Sequence, residues 1–227
     1  IRQSKKDDPN ILPKVTVNDI GKSKSYPICK SDNSSGTSKN FYKAGTNGID
    51  YYQCIHPIFK PSFSDLKYAT LFADMMCEVG IKDKDYEDIQ KLQSETLGQI
   101  SSNFTILRDA NNNNFKLGIK IGGYSLQTKT DEMKELINST INDFRLDETD
   151  RVNEISKMHL SGIEKSLTNA GHYFAMTSAD AQISSLGAIS EISSGISYLK
   201  NLKNLRRTGD VNATKERRDA CCPPERR

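Results

Sequence analysis

Few side chains in this sequence could do chemistry: three histidines at positions 56, 159 and 172, five cysteines, and some serines close to glycines. A hydrolytic zinc site needs two histidines on one helical face with a carboxylate base beside them, as in H-E-x-x-H or its inverted form H-x-x-E-H. The histidines stand in Ile55-His56-Pro57, Met158-His159-Leu160 and Gly171-His172-Tyr173, so no two share i, i+4 spacing. Folding could still bring His159 and His172 together with Glu154 or Glu164, but the expectation is a helix-surface histidine and a turn histidine. Ser193-Ser194-Gly195 lacks the earlier glycine of a nucleophile elbow and reads as a small-residue patch where a helix packs closely. Gly118 and Gly122-Gly123 precede no G-K-[ST] and read as a kink or close backbone approach within a strand. Cys54 and Cys77 fall in a predicted strand and a predicted helix, where a small buried hydrophobe is the commoner role. The sequence therefore assigns no catalytic, cofactor-binding or metal-binding residue.

The elements around these residues alternate in pattern. A strand is predicted at Ile49–Ile55, after the turn signal Asn47-Gly48. A helix follows over Ser64–Val79, capped by Ser64, with Leu66, Ala69, Ala73 and Met76 at helical spacing and Gly80 as its stop. A second helix spans Asp85–Leu97, ending at Gly98. Strands at Gln99–Leu107 and Phe115–Leu126 form a hairpin across Asn111–Asn114. Helical periodicity then marks Thr130–Phe144, Glu148–Leu167 and Ser184–Leu205, with Gly171-His172 read as a helix-to-helix turn. Ser31–Asn40 reads as an exposed loop. The order implies an α+β fold, an antiparallel sheet with helices packed on one face.

Composition narrows the class further. The 227 residues suit one domain with a proper core. No window approaches the roughly 18 apolar residues of a membrane span, and no apolar leader opens the chain. The missing initiator Met implies a chain that begins inside something longer. Residues 206–227 hold seven basic and four acidic side chains, which accounts for the whole formal charge of +3. The body has no continuous basic stripe, so neither nucleic acid nor membrane is an expected partner. Six arginines, two prolines and two cysteines crowd that last stretch. It reads as a basic tail, either naturally disordered or the product of a coding discontinuity.

Several segments, taken in order, carry a resemblance. Leu12-Pro13-Lys14-Val15-Thr16-Val17-Asn18-Asp19-Ile20 resembles the "LPxxxxxDI" stretch after the helical linker of presequence proteases, peptidases of the pitrilysin/insulinase clan. Thr46-Asn47-Gly48-Ile49-Asp50-Tyr51-Tyr52 is similar to their "TNGxxYF" strand entry. Asp85-Tyr86, with Thr96-Leu97-Gly98-Gln99-Ile100-Ser101, resembles "DY…KTGGIS", with Leu97 replacing the first glycine. Gly171-His172-Tyr173-Phe174-Ala175, Gly187-Ala188-Ile189-Ser190-Glu191 and Ser194-Gly195-Ile196 resemble "SGHxYA…GAxSExxSGL". Falcilysin-type relatives share the architecture.

The resemblance implies a division into residues 1–47 as linker end and polar loop, 48–205 as a pitrilysin-type α+β domain incomplete at its C-terminal end, and 206–227 as the tail. It implies a fragment of a zinc metalloendopeptidase that degrades short unfolded peptides such as targeting presequences, this part being non-catalytic chamber wall. Zinc belongs to the intact enzyme, whose H-x-x-E-H motif is absent from these residues. The implied partners are the peptidase's other domains, in cis or as a separate chain, and unfolded peptides passing through the chamber. The implied location is the mitochondrial matrix. The alternative is a non-catalytic interaction subunit pairing with a separately encoded zinc-bearing half.

Overall fold

In the computed structural model, residues 12–21, 26–34, 37–109 and 114–208 are described, and the chain divides into two compact units, residues 1–47 and 48–227. In the first unit, Asp19 accepts hydrogen bonds from the Thr16 amide (2.7 Å) and hydroxyl (2.8 Å), which fixes one 3₁₀ turn at Val17–Asp19. Two short strands then pair antiparallel, β1 (Ile28–Asp32) and β2 (Lys39–Lys43), with Ile28 opposite Lys43. Both ends of the expected 31–40 loop are therefore strand. Ile28, Phe41 and Tyr42 favour extended backbone, and the Ser31 hydroxyl donates across the ribbon to Asn40 Oδ1 at 2.7 Å. All ten strand residues are exposed.

The second unit is built on a three-stranded antiparallel sheet in the order β3-β5-β4, formed by β3 (Ile49–Pro57), β4 (Gln99–Arg108) and β5 (Phe115–Leu126). Asn47 and Gly48 enter it with left-handed backbone (φ 51° and 78°), as an Asn-Gly turn requires. The alternation of β5 selects its buried face. Leu117, Ile119, Ile121 and Ser125 lie under helices, whereas Lys116, Lys120 and Leu126 point the other way. Helix α2 packs on β4 and α4 on β5. The sheet is thus covered on one face, as an α+β layer demands. Gly118 and Gly122 belong to the open face, and neither kinks β5. A Cβ at Gly118 would lie 2.8 Å from the His56 carbonyl oxygen, and one at Gly122 would lie 2.7 Å from that of Tyr52, so β3 runs too close for a side chain.

The expected helix over 64–79 is two helices, α1 (Phe63–Leu66) and α2 (Ala69–Met75). The cap is Ser62 rather than Ser64, because Ser62 and Asp65 bond each other's backbone amides in a capping box. Tyr68, at φ −122° and ψ 3°, breaks the helix before α2. Helix α3 (Tyr86–Thr96) starts from an Asp85 cap. Its approach is clamped by Glu148, whose carboxylate accepts from the Gly80 amide at 2.7 Å and the Tyr86 amide at 3.1 Å. Helices α4 (Thr130–Asp143) and α5 (Thr149–Asn169) follow, near their expected limits.

Only Ala170 separates α5 from α6 (Gly171–Asp180), so Gly171-His172 opens a helix instead of forming a two-residue turn. The expected last helix divides into α7 (Ser185–Ser194) and α8 (Ile196–Thr208). The Glu191 carboxylate causes the division. It folds back to accept from the Ser197 amide (2.9 Å) and hydroxyl (3.0 Å), capping α8 from the preceding helix, and it occupies the space a Cβ on Gly195 would need. The expected tail, residues 206–227, lies outside the described residues beyond Thr208. The core joins Ile119 and Ile121 of the sheet to Leu71, Met75, Met133, Ile137, Val152, Leu199 and Leu202 of the helices, and to Met76 just past the end of α2.

Candidate functional site

Of the histidines, one stands in a polar constellation reaching into the core. Aspartate 74 sits on α2 among apolar neighbours, His159 faces it from α5, and Tyr198 from α8 packs beneath both. His159 Nε2 lies 2.6 Å from Asp74 Oδ2, and His159 Nδ1 lies 3.3 Å from the Tyr198 hydroxyl. With the Nε2 proton donated to Asp74, Nδ1 keeps the lone pair that accepts the tyrosine hydrogen. The rings meet edge to face, 6.3 Å apart at 87°. Tyr198 also has a backbone hydrogen bond with Leu71 in the first turn of α2.

An aspartate orienting a histidine is two thirds of a hydrolase triad. The third member decides against that chemistry, because Tyr198 is only 1% exposed and no substrate atom can reach its oxygen. Desolvation, reinforced by the Asp74 charge, raises the phenol's pKa far above its ordinary value, so it does not ionise to a nucleophile. The cluster ties three helices together through polar groups that all have partners.

The other expected residues do not converge. Glu154 pairs with Arg151 (2.8 Å) and Glu164 with Lys203 (2.8 Å), while His172 is exposed in the first turn of α6. A zinc ion does not fit the constellation, which offers one imidazole and one carboxylate beside a buried phenol. Among the described residues, no three His, Cys, Asp or Glu side chains come together as a ligand set. His56 is exposed on β3, although protein on its sheet side holds its pKa below the ordinary value by desolvation. Cys77 is 6% exposed and its thiol is pushed up to about 12 by burial, then by Glu78 and Asp74. Cys54 is half-buried and raised to about 11 for the same first reason. Neither provides a thiolate near neutral pH. Ser193 is buried in a close α2–α7 approach, where its carbonyl accepts from the Thr70 hydroxyl at 2.7 Å.

Sequence reasoning missed Asp74 and Tyr198. Their one signal was local: Asp74 interrupts the apolar run Ala69-Thr70-Leu71-Phe72-Ala73, and a carboxylate there needs a partner. Nothing in the sequence pointed to residues 159 and 198 as that partner.

Comparison with known proteins places this architecture. The family described as Peptidase M-16C associated matches residues 1–205. The mitochondrial presequence protease of Drosophila melanogaster is 22% identical over 203 residues, covering 89% of this chain and 20% of that protein. The Schizosaccharomyces pombe protein of the same name is 26% identical over 206 residues, covering 90% and 21%. Protein HypA of Clostridium perfringens is 26% identical over 206 residues, covering 89% and 21%. The chain thus spans about a fifth of the length of these relatives. With the family matched from residue 1 to residue 205, the chain belongs to the Peptidase M-16C associated family.

Proposed function

We propose that this chain is a non-catalytic part of a larger zinc metalloendopeptidase of the presequence-protease kind. It contributes wall to the chamber in which short unfolded peptides, such as cleaved targeting sequences, are degraded. One observation carries the reading: a family match over residues 1–205 joined to a sequence whose three histidines never take helix-borne zinc spacing. Large apolar side chains left exposed on the helices and on the turn between α6 and α7 support it. Phe63 (61%), Met158 (63%), Met176 (66%) and Ile183 (85%) are the sort of surface that neighbouring domains cover. The partners on this reading are the remaining domains of the peptidase, and the location is the mitochondrial matrix, a reading supported by the word mitochondrial in the names of two relatives.

The test is a peptidase assay on the purified chain with a quenched-fluorescent unstructured peptide, added zinc and a chelator control. No chelator-sensitive cleavage is the expected result. Zinc-dependent turnover by this chain alone would refute the wall reading, because a site would then exist among residues here given structural roles.

A further inference from the structure

The two outer strands of the sheet are not equivalent, and the difference marks an interaction surface. Main-chain bonds pin the phase of β3 against β5. The Gln127 amide donates to the Gly48 carbonyl at 2.9 Å, and the Ile58 amide donates to the Leu117 carbonyl at 2.8 Å. Because antiparallel ladders alternate, residues 50, 52, 54 and 56 turn their amides and carbonyls toward β5. Ile49, Tyr51, Gln53 and Ile55 turn theirs outward. Pro57 shares the outward phase, where a missing N–H costs no ladder bond. Among the described residues no strand lies on that side.

The covered face tells the same story. On β5, Ile119 and Ile121 are 3% and 0% exposed, but opposite them on β3, His56 is exposed and Cys54 only half-buried. Helices α2 and α4 lie over β4 and β5, and the column Tyr52, Cys54, His56 stays partly open. Over its nine residues β3 confines the usual defences of an edge to its ends, Asp50 and Pro57; the stretch Tyr51–His56 between them has no lysine, aspartate, glutamate or proline, and its register with β5 runs unbroken.

We propose that the outer edge of β3 is a docking edge for a further strand supplied by the rest of the peptidase polypeptide. That strand pairs with the outward amides of Ile49, Tyr51, Gln53 and Ile55 and sets apolar side chains beside Tyr52 and Cys54. The occupant is argued from the family membership and from relatives about five times as long as this chain, so the proposal rests on the function proposed above. A second copy of this chain and a bound peptide are the competing occupants.

A photo-cross-linking amino acid at Gln53, in the protein expressed in its own cells, tests the assignment by sequencing the adduct; the same group on the exposed α3 residue Lys91 serves as control. The expected adduct joins position 53, and not position 91, to an extended segment of a polypeptide carrying H-x-x-E-H. Adducts to a second copy, to short peptides or to nothing overturn the occupant. An adduct to a segment of a protein without that motif retains the docking edge and removes the peptidase reading.

Hydrogen exchange on the purified chain tests the edge separately. The amides of Tyr51, Gln53 and Ile55 should exchange at least about 100-fold faster than those of Tyr52 and Cys54. Equal protection along β3 would mean that the edge is already covered, and the proposal fails while the family assignment stands. As a second variant, Gln53→Pro removes an outward donor and is expected to abolish the adduct from a cross-linker at Tyr51. Persistence of that adduct would also overturn the proposal.

Discussion

Replacing His159 with alanine strips a partner from half-buried Asp74 and from buried Tyr198 at once, and the penalty can be worked from the geometry. The Asp74 carboxylate loses a contact of 2.6 Å, but the two side chains are 25% and 30% exposed, so water replaces part of it. That loss is worth about 1–2 kcal/mol. The Tyr198 hydroxyl, on a residue 1% exposed, loses its 3.3 Å partner. A buried hydroxyl left without an acceptor for its proton adds about 1–2 kcal/mol, at the lower end because Leu71 still bonds its oxygen. The His159→Ala chain should therefore be about 2–4 kcal/mol less stable, a drop in Tm of roughly 4–16 °C for a unit of this size.

Tyr198→Phe should cost less, about 0.5–1.5 kcal/mol, since the ring still fills its space and the bared Nδ1 belongs to a partly exposed imidazole. The double variant is the informative one. With no hydroxyl to orphan, it should cost about 1–2 kcal/mol less than the two single changes added together. Urea unfolding followed by circular dichroism measures all three chains at equal m-value. Strict additivity within about 0.3 kcal/mol would show that histidine and tyrosine do not bond, and the account of the constellation would fall.

Thiol labelling at pH 8 should modify exposed Cys29 in the folded chain while Cys54 and Cys77, at about 11 and about 12, react only when denaturant is added; rapid labelling of Cys77 in the native chain contradicts its placement. Stability should fall modestly with acidification through His56. Its folded pKa lies below the unfolded value of 6.5, so its contribution is intact above that pH and is lost as pH drops from 6.5 toward the folded value. His56→Gln should flatten the pH 5–7 part of a stability profile, and an unchanged slope would discount that desolvation. Ile121→Ala, at a fully buried position in the central strand, should cost about 2–5 kcal/mol by denaturant titration, and a value under about 1 kcal/mol would be incompatible with its burial.

Strands β4 and β5 and helices α3, α4 and α5 were legible because short-range signals agreed: period-2 or helical spacing, Gly98 as a stop, and an asparagine run between the strands. The α+β class followed from their order. Boundaries failed where a distant or unexpected group decided them. Ser62 and Ser64 are equivalent caps by type, and the capping box with Asp65 selects the first. The α7–α8 break depends on a carboxylate folding back from Glu191, which the spacing of apolar residues across 184–205 does not register. The polar stretch around Ser31 and Asn40 concealed two strands because its aromatic and β-branched residues lie at its margins. The resemblance located the family, but the Asp74–His159–Tyr198 constellation was invisible, since it links residues separated by 85 and 39 positions.

The clamp at Glu148 has a consequence for how the protein is made. The loop it secures begins at Gly80, 68 residues earlier in the chain. At a synthesis rate of about 5–20 residues per second, roughly 3–14 seconds separate the arrival of the two partners. Helix α3 and strands β4 and β5 are synthesised within that interval, before the carboxylate that holds the start of α3 arrives. The first half of the second unit therefore emerges as an unlocked intermediate, one that synthesis closes from behind.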